Sequence, residues 1–374
     1  MKNKKTLIFC ILVVLLTGCG TAQLRVIDDL EIIFGLGLEK GEKDGVLKVT
    51  TFGVTQEETA KEPVIQHNIE GYGLKGFIRN WQYQGHKFLA LGKVQVIVFG
   101  EEISKNGLQN ILLELLEIPE IDVNAMVAYY EGDPKDIFSI DVIEEQRVAF
   151  YLRKLLEKNS IKNSIPRVDF YTLTTNHFTI GKNSYLPIIK ESKDKSKAIV
   201  TGLALLDNEG KVKVKLNDTE TLYLLLLKGH RVSLLIDSNV PVKEGHKARV
   251  LFEVTGSKVR FDTELVKGKP QINVKIDCRG NLKKIEGLEG DYFDQKVFDK
   301  INKEISKHLT VKMQELIDKF QENGVDPVGF GELIRVRHNR YFKKNTWEKD
   351  YPQITITNET KIKLLRATNI RNRP

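Results

Sequence analysis

KARVLFEVTGSKVRFDTELVKGKPQINVKIDCRGNL, residues 247–282, decides the fold class. Lys247–Thr255 and Lys258–Val266 are rich in β-branched and aromatic residues and flank Gly256-Ser257; Pro270–Leu282 supplies another run of the same kind. Such runs, punctuated by glycine, predict strands of an antiparallel meander. Just upstream, Ala198–Leu206 and Lys211–Leu216 flank Asp207-Asn208-Glu209-Gly210, the composition of a hairpin turn. Downstream the period changes. Val297, Phe298, Ile301, Ile305, Leu309, Met313, Leu316 and Phe320 recur at three- and four-residue steps, one apolar stripe on a long helix from Tyr292 to Glu322, stopped by Asn323-Gly324. Asp326-Pro327 is expected to cap a second helix, and Gln353–Leu365 to return as a strand. Strands, then helices, then a closing strand predict an α+β domain over residues 198–374.

Working back toward the N-terminus, Asp29–Glu39 and Gly45–Gln56 read as strands joined by a turn at 40–44. Val64–Trp81 is ambiguous and partly helical. His86–Gly100 reads as one buried strand, and Glu101–Glu117 as one helix with Leu108, Leu112, Leu115 and Leu116 at helical spacing. Asp122–Glu131 is another strand, Gly132-Asp133-Pro134 a helix start, and Glu144–Lys158 a further helix. Residues 19–189 thus form an N-terminal α+β region, as one unit or two subdomains. The polar run Lys190–Lys197 is the expected linker or long loop.

The first residues carry a different signal. Lys2, Lys4 and Lys5 precede an unbroken apolar run from Leu7 to Leu16, too short to span a bilayer, which needs roughly 20 apolar residues. A positive segment, a short apolar core and small residues make an export signal. Leu16-Thr17-Gly18-Cys19 resembles the bacterial lipobox. That resemblance implies a lipoprotein signal peptide over residues 1–18, cleavage between Gly18 and Cys19, and a diacylglyceryl group on the Cys19 thiol. Two acyl chains anchor stably where one barely holds. Of the three cysteines, Cys10 leaves with the signal and Cys19 carries lipid, so Cys278 has no partner for an internal disulfide and is expected in the core. The net charge of +8 falls to about +5 once the signal lysines are gone, a mild excess that suits nearness to anionic headgroups better than nucleic acid.

Catalytic constellations are hard to find. Gly71, Gly73 and Gly76 spell a dinucleotide-type G-x-G-x-x-G, but Ile65–Glu70 reads as a poor strand, and Leu91 stands where a ribose-binding acid belongs. The seven histidines lie far apart in sequence, with no H-E-x-x-H, so no metal or cofactor is expected. A G-x-S-x-G nucleophile elbow is absent. Arg335–Lys344 interleaves basic and aromatic residues without gathering them on one helical face, which disfavours nucleic acid. No enzyme is predicted. Lys296, Lys300, Lys303 and Lys307 do recur along the polar side of the long helix, a candidate surface for a membrane or an acidic partner.

The arrangement resembles the C-subunit lipoproteins of spore germinant receptors, the GerAC-like, or Ger(x)C, family. Glu31–Lys40 (EIIFGLGLEK) is similar to that family's apolar strand ending in Gly-x-Asp-Lys, and Gln84–Lys87 through Val98–Glu102 to its His-x-Lys strand ending in Gly-Glu-Glu. Leu186-Pro187 through Gly202–Asp207, then Leu216–Gly229 with Glu220-Thr221, looks like the junction and first hairpin of its C-terminal domain. Asp326–Gly331 (DPVGFG), Trp347 and the strand after Pro352 resemble its closing segment. The chain departs from the family at Gly20-Thr21-Ala22, where a Trp and a charged run are common, and lacks an evident Gly near Thr368. The resemblance implies a non-catalytic, lipid-anchored subunit of a nutrient germinant receptor, which supports receptor assembly and signalling in germination. It would sit on the outer face of the spore inner membrane beside two integral-membrane subunits of A and B type. The alternative, a substrate-binding lipoprotein of a transporter, calls for two lobes hinged around a cleft.

Overall fold

The computed structural model describes residues 29–54, 64–142, 147–243, 246–287 and 295–367. Its first sheet is built around β1 (Leu30–Lys40), which pairs antiparallel with β2 (Val46–Val54), itself paired to β3 (Val64–Tyr72) at the edge. On the other side of β1 run β4 (Phe88–Ala90) and β5 (Val96–Phe99), both parallel to it, then β6 (Met126–Tyr130) and β7 (Tyr185–Glu191), also parallel. β8 (Ala198–Leu206) and β9 (Val212–Asn217) finish the sheet antiparallel. The order is β3-β2-β1-β5-β6-β7-β8-β9, with β4 beside β1 as the ninth strand. VIVF of β5 and MVAYY of β6 are buried at every position, as central parallel strands covered on both faces must be. The covering helices are α1 (Gly73–Gln84), α2 (Glu101–Asn106), α3 (Gln109–Leu116), α4 (Pro134–Phe138), α5 (Val148–Ile161), α6 (Phe170–Phe178) and α7 (Asp218–Leu227).

The second sheet has the order β10 (Leu234–Lys243), β11 (His246–Val266), β12 (Lys269–Glu286), β13 (Thr355–Ala367). Three hairpin-linked strands are followed by one that returns parallel to β12 after the helices. α8 (Gln295–Glu322) lies along the inner face and packs on β13 and β10. Val297, Ile301, Ile305, Leu309, Met313, Leu316 and Phe320 are all buried there, and Phe298 is partly so. Each such side chain contributes roughly 1.5–3 kcal/mol by leaving water. α9 (Phe330–Arg337) and α10 (Lys344–Asp350) close the chain against this unit. The mixed α+β class expected from the sequence is the one observed.

Several local expectations are corrected. Gly256-Ser257 is not a turn: β11 runs 21 residues straight through it, with a bulge between Val254 and Gly256, and the hairpin turns at Lys267-Gly268 instead. His86–Gly100 is not one strand. The chain leaves β1 at Leu91, turns through a Val94 N–H bond to the Leu91 carbonyl, and rejoins as β5. Glu101–Glu117 is not one helix. It breaks at Gly107 (φ 114°), where the β8–β9 turn inserts the carbonyls of Glu209 and Gly210 to accept the N–H groups of Gln109 and Leu108. That tertiary contact outweighs the local helical pattern. The apolar run of α7, which resembles part of a hairpin in sequence, is a helix started by a reciprocal capping box of Asn217 and Glu220. The expected linker, 190–197, is the end of β7 and the tight turn of the β7–β8 hairpin, with Lys195 N–H bonded to the Ser192 carbonyl.

The G-x-G-x-x-G stretch needs the fullest correction. Residues 65–70 are a regular strand after all, within β3, and α1 follows directly. The strand is nonetheless an antiparallel edge strand rather than the first of a parallel crossover. The N-terminus of α1 is already occupied: Leu74 N–H donates to the Glu114 carboxylate at 2.5 Å. Gly71 is required by packing, since a Cβ there would stand 2.1 Å from the Phe77 backbone nitrogen.

Candidate functional site: the seam between the two halves

Two of the family-like stretches acquire a physical meaning in the fold. Glu39, at the end of β1, is buried and accepts N–H bonds from Lys40 (2.6 Å), Ile103 (2.7 Å) and Glu102 (3.3 Å). It caps α2, so EIIFGLGLEK and the Gly100-Glu101-Glu102 stretch are two sides of one contact. Burial raises its pKa above the usual carboxylate range, against those three bonds.

DPVGFG builds the second contact. Asp326, 2% exposed, accepts the N–H groups of Gly329 and Gly331, each at 2.8 Å, and so organises the entry to α9 from three residues upstream of its N-cap. Its own N–H donates to Asn183 Oδ1 (2.7 Å), and its carbonyl accepts Asn183 N–H (2.9 Å). Glu332 N–H donates to the Gly181 carbonyl (2.8 Å). The approach is backbone to backbone: a Cβ on Gly181, whose φ is +84°, would lie 2.6 Å from the Gly331 carbonyl carbon. Lys228, at the end of α7, donates to the Pro327 carbonyl (3.0 Å) with its ammonium 5.7 Å from the centre of the Tyr185 ring. Desolvation dominates both charges here. It pushes Asp326 up to about 6, against its backbone bonds and Lys228, and pushes Lys228 down to about 8.

A hollow of about 220 Å³ opens on this seam, lined by His177, Asn183, Asn208, Asp326, Trp347 and Tyr351 among others. Burial holds the His177 pKa below its ordinary value, so the ring is neutral at pH 7. The arrangement ties the loop after α6, in the first half, to the segment between α8 and α9, in the second. Chemically it is a polar lock, with each carboxylate oxygen already accepting a backbone donor.

The four predicted lysines, Lys296, Lys300, Lys303 and Lys307, are all exposed on α8, away from the sheet it packs on. Cys19, Gly18 and the signal segment lie outside the described residues. Cys278 is 1% exposed in β12, and burial pushes its thiol up to about 12, which makes it an inert core residue rather than a nucleophile. Among the described residues no group of three or more His, Cys, Asp or Glu side chains could hold a metal ion, and no helix is long and apolar enough to cross a membrane. Sequence reasoning found DPVGFG but missed its partners. Asn183, Gly181 and Lys228 carry no local pattern that would mark them, because their partners, Asp326, Glu332 and Pro327, are far away in the sequence.

Comparison with known proteins agrees with this architecture. Residues 23–191 match the family model described as the spore germination protein N-terminal domain, and residues 201–368 match the one described as spore germination B3/GerAC like, C-terminal. The chain is 24% identical over 362 residues to spore germination protein GerQC of Bacillus cereus, covering 96% of this chain and 98% of that protein. It is 25% identical over 393 residues to spore germination protein KC of Bacillus subtilis (strain 168), covering 97% and 95%. The crystal structure of the GerBC protein superposes with a TM-score of 0.57 at 18% identity, over 91% of this chain and all of that one, which supports the fold. With both of its halves matched in order across nearly its whole length, the chain belongs to the GerAC-like family of spore germination proteins.

Proposed function

We propose that this chain is the lipid-anchored, non-catalytic C-type subunit of a nutrient germinant receptor. Cys19 holds it on the outer face of the spore inner membrane, beside two integral-membrane subunits of A and B type, where it supports receptor assembly and signalling. The observation that carries the reading is the match of both halves to spore germination families, in a chain whose halves are locked at Asp326. The lock suits a part that transmits force or position as one body. A hinged transporter-type binding protein fits less well, because one sheet continues from β3 to β9. Leu30 is 11 residue steps from Cys19, a reach of at most about 40 Å at full extension, so the body stays close to the bilayer.

Spores lacking this chain are expected to lose the response to one set of nutrients while still germinating with a non-nutrient trigger. Normal responses to every nutrient, in a strain without redundant receptors, would overturn the reading.

The lysine stripe of α8 is proposed as the surface that meets anionic headgroups or an acidic face of a partner subunit. Near a charged membrane each lysine contributes on the order of 1 kcal/mol. Changing Lys296, Lys300, Lys303 and Lys307 together to Gln is expected to leave the melting temperature unchanged, because the packed face of α8 is untouched. Binding of the mature protein to anionic vesicles at low salt should weaken by at least about tenfold. Wild-type binding and wild-type germination by a folded quadruple variant would reduce the stripe to a solvated face.

A further inference from the structure

The outer face of the four-stranded sheet is laced with ion pairs. Arg249 meets Asp237 at 2.5 Å, Arg260 meets Asp277 at 2.9 Å, Lys275 meets Asp262 at 2.8 Å, and Lys283 meets Glu253 at 2.8 Å. Arg231, Lys258 and Arg279 break this pattern. All three are exposed, and none has an acidic partner within ion-pair distance among the described residues.

The β11 bulge brings them together. Val254 stands opposite Gly280 and Gly256 opposite Arg279, so Thr255 is the extra residue and the alternation of faces shifts there. Before the bulge the buried positions are Val250, Phe252 and Val254; beyond it Lys258 and Arg260 point outward. By register Lys258 faces Asp277, but Arg260 already holds that carboxylate. Arg231 is delivered from the start of the second sheet by a bond from Val232 N–H to the Thr255 carbonyl (3.4 Å), and its Cα would sit 3.3 Å from a Cβ on Gly256. The three cations, with Thr255, Gly256 and Ser257, line one hollow of about 390 Å³. Its floor is held in place, since the Ser257 hydroxyl donates inward to the Leu226 carbonyl at 2.6 Å.

We propose that this hollow binds a tetrahedral oxyanion of about two negative charges, the chemistry of inorganic phosphate or a phosphate monoester. Two planar guanidinium forks and one ammonium match three or four oxygens around one centre. A carboxylate offers two oxygens and one charge, and would leave part of the cluster unneutralised. The phosphate can come from solution or from an anionic lipid headgroup. α8 covers the opposite face of the sheet, so the hollow points away from the lysine stripe and the two surfaces can be tested apart.

The test uses the full mature chain at low salt, titrated with inorganic phosphate by calorimetry and by amide chemical-shift changes. Saturable binding in the millimolar range or tighter is expected, with acetate a poor competitor. Arg231→Gln, Lys258→Gln and Arg279→Gln combined should weaken it at least about tenfold, at unchanged melting temperature, because all three side chains are exposed. The four-lysine variant of α8 should bind phosphate as wild type does. In a second arm, phosphatidylcholine vesicles with and without phosphatidic acid replace free phosphate. A phosphatidic-acid-dependent gain in vesicle binding that the triple variant loses and the α8 variant retains, on top of the weaker overall binding expected of it, would make the lipid headgroup the source. Failure of both arms, equal binding by wild type and triple variant, or equal competition by acetate would each overturn the proposal.

Discussion

Cys19→Ala is expected to abolish palmitate labelling outright and to leave a precursor that still carries residues 1–18. The thiol is the nucleophile that the lipid transfer requires, and a methyl group has no substitute for it. Loss of two acyl chains removes about 0.8 kcal/mol for every methylene buried in the bilayer, far more than the α8 lysines could restore. Labelling and apparent size on a gel read the two effects separately, since an uncut apolar segment could keep unlabelled protein at the membrane. Persistent labelling of Cys19→Ala would show that another residue carries the lipid.

Asp326→Ala should have the largest effect on the folded body. Truncation strands the N–H groups of Gly329, partly buried, and of Gly331, buried. Each buried donor left unsatisfied costs about 1–3 kcal/mol, and the lost packing adds to that, so a loss of about 3–5 kcal/mol is expected near pH 5. At about 2–4 °C per kcal/mol the melting temperature should fall by roughly 10 °C. The loss should depend on pH in a definite direction. Burial raises Asp326 from 3.8 to about 6, so the folded state keeps a proton that the unfolded chain gives up. That contribution is complete below about pH 4 and is lost as pH rises through 6. The gap between wild type and variant should therefore narrow between about pH 4 and pH 6, by at most about 3 kcal/mol for a shift of some two units, and stay level above that. Lys228 works in the other window: with its pKa lowered to about 8, its burial penalty lifts between pH 8 and 10.5. Thermal melts of both proteins from pH 4.5 to 8 would test this, and a gap that widened with pH would mean that the ionised carboxylate is the stabilising form.

What could be read in the sequence was whatever depended on one face or one end. The α8 stripe, the Asp133 cap of α4 and the Asp207–Gly210 turn are all local patterns, and all appear where they were expected. What escaped was decided by distant partners. Gly107 becomes a break because a hairpin turn about 100 residues later docks against it, and Gly256 stays within a strand, paired with Arg279 just past the Thr255 bulge. Asn183 looks like any loop residue until Asp326 folds back onto it. The stretch Leu16–Cys19 that resembles a lipobox could be recognised at once, but it lies outside the described residues.

The nine-stranded sheet separates heredity from folding. The two family models divide the chain between residues 191 and 201, inside the β7–β8 hairpin, so β7 falls to one side and β8 with β9 to the other. The boundary between the two family models is therefore not a boundary between sheets. A fragment ending at Glu191 would leave β7, buried over its first five positions, as a naked apolar border, which is a template for aggregation. Recombination between paralogues at that boundary must splice a sheet rather than swap a bead on a string. Chimaeras that exchange the second module inherit the task of matching β8 to a foreign β7, as well as Asp326 to a foreign Asn183.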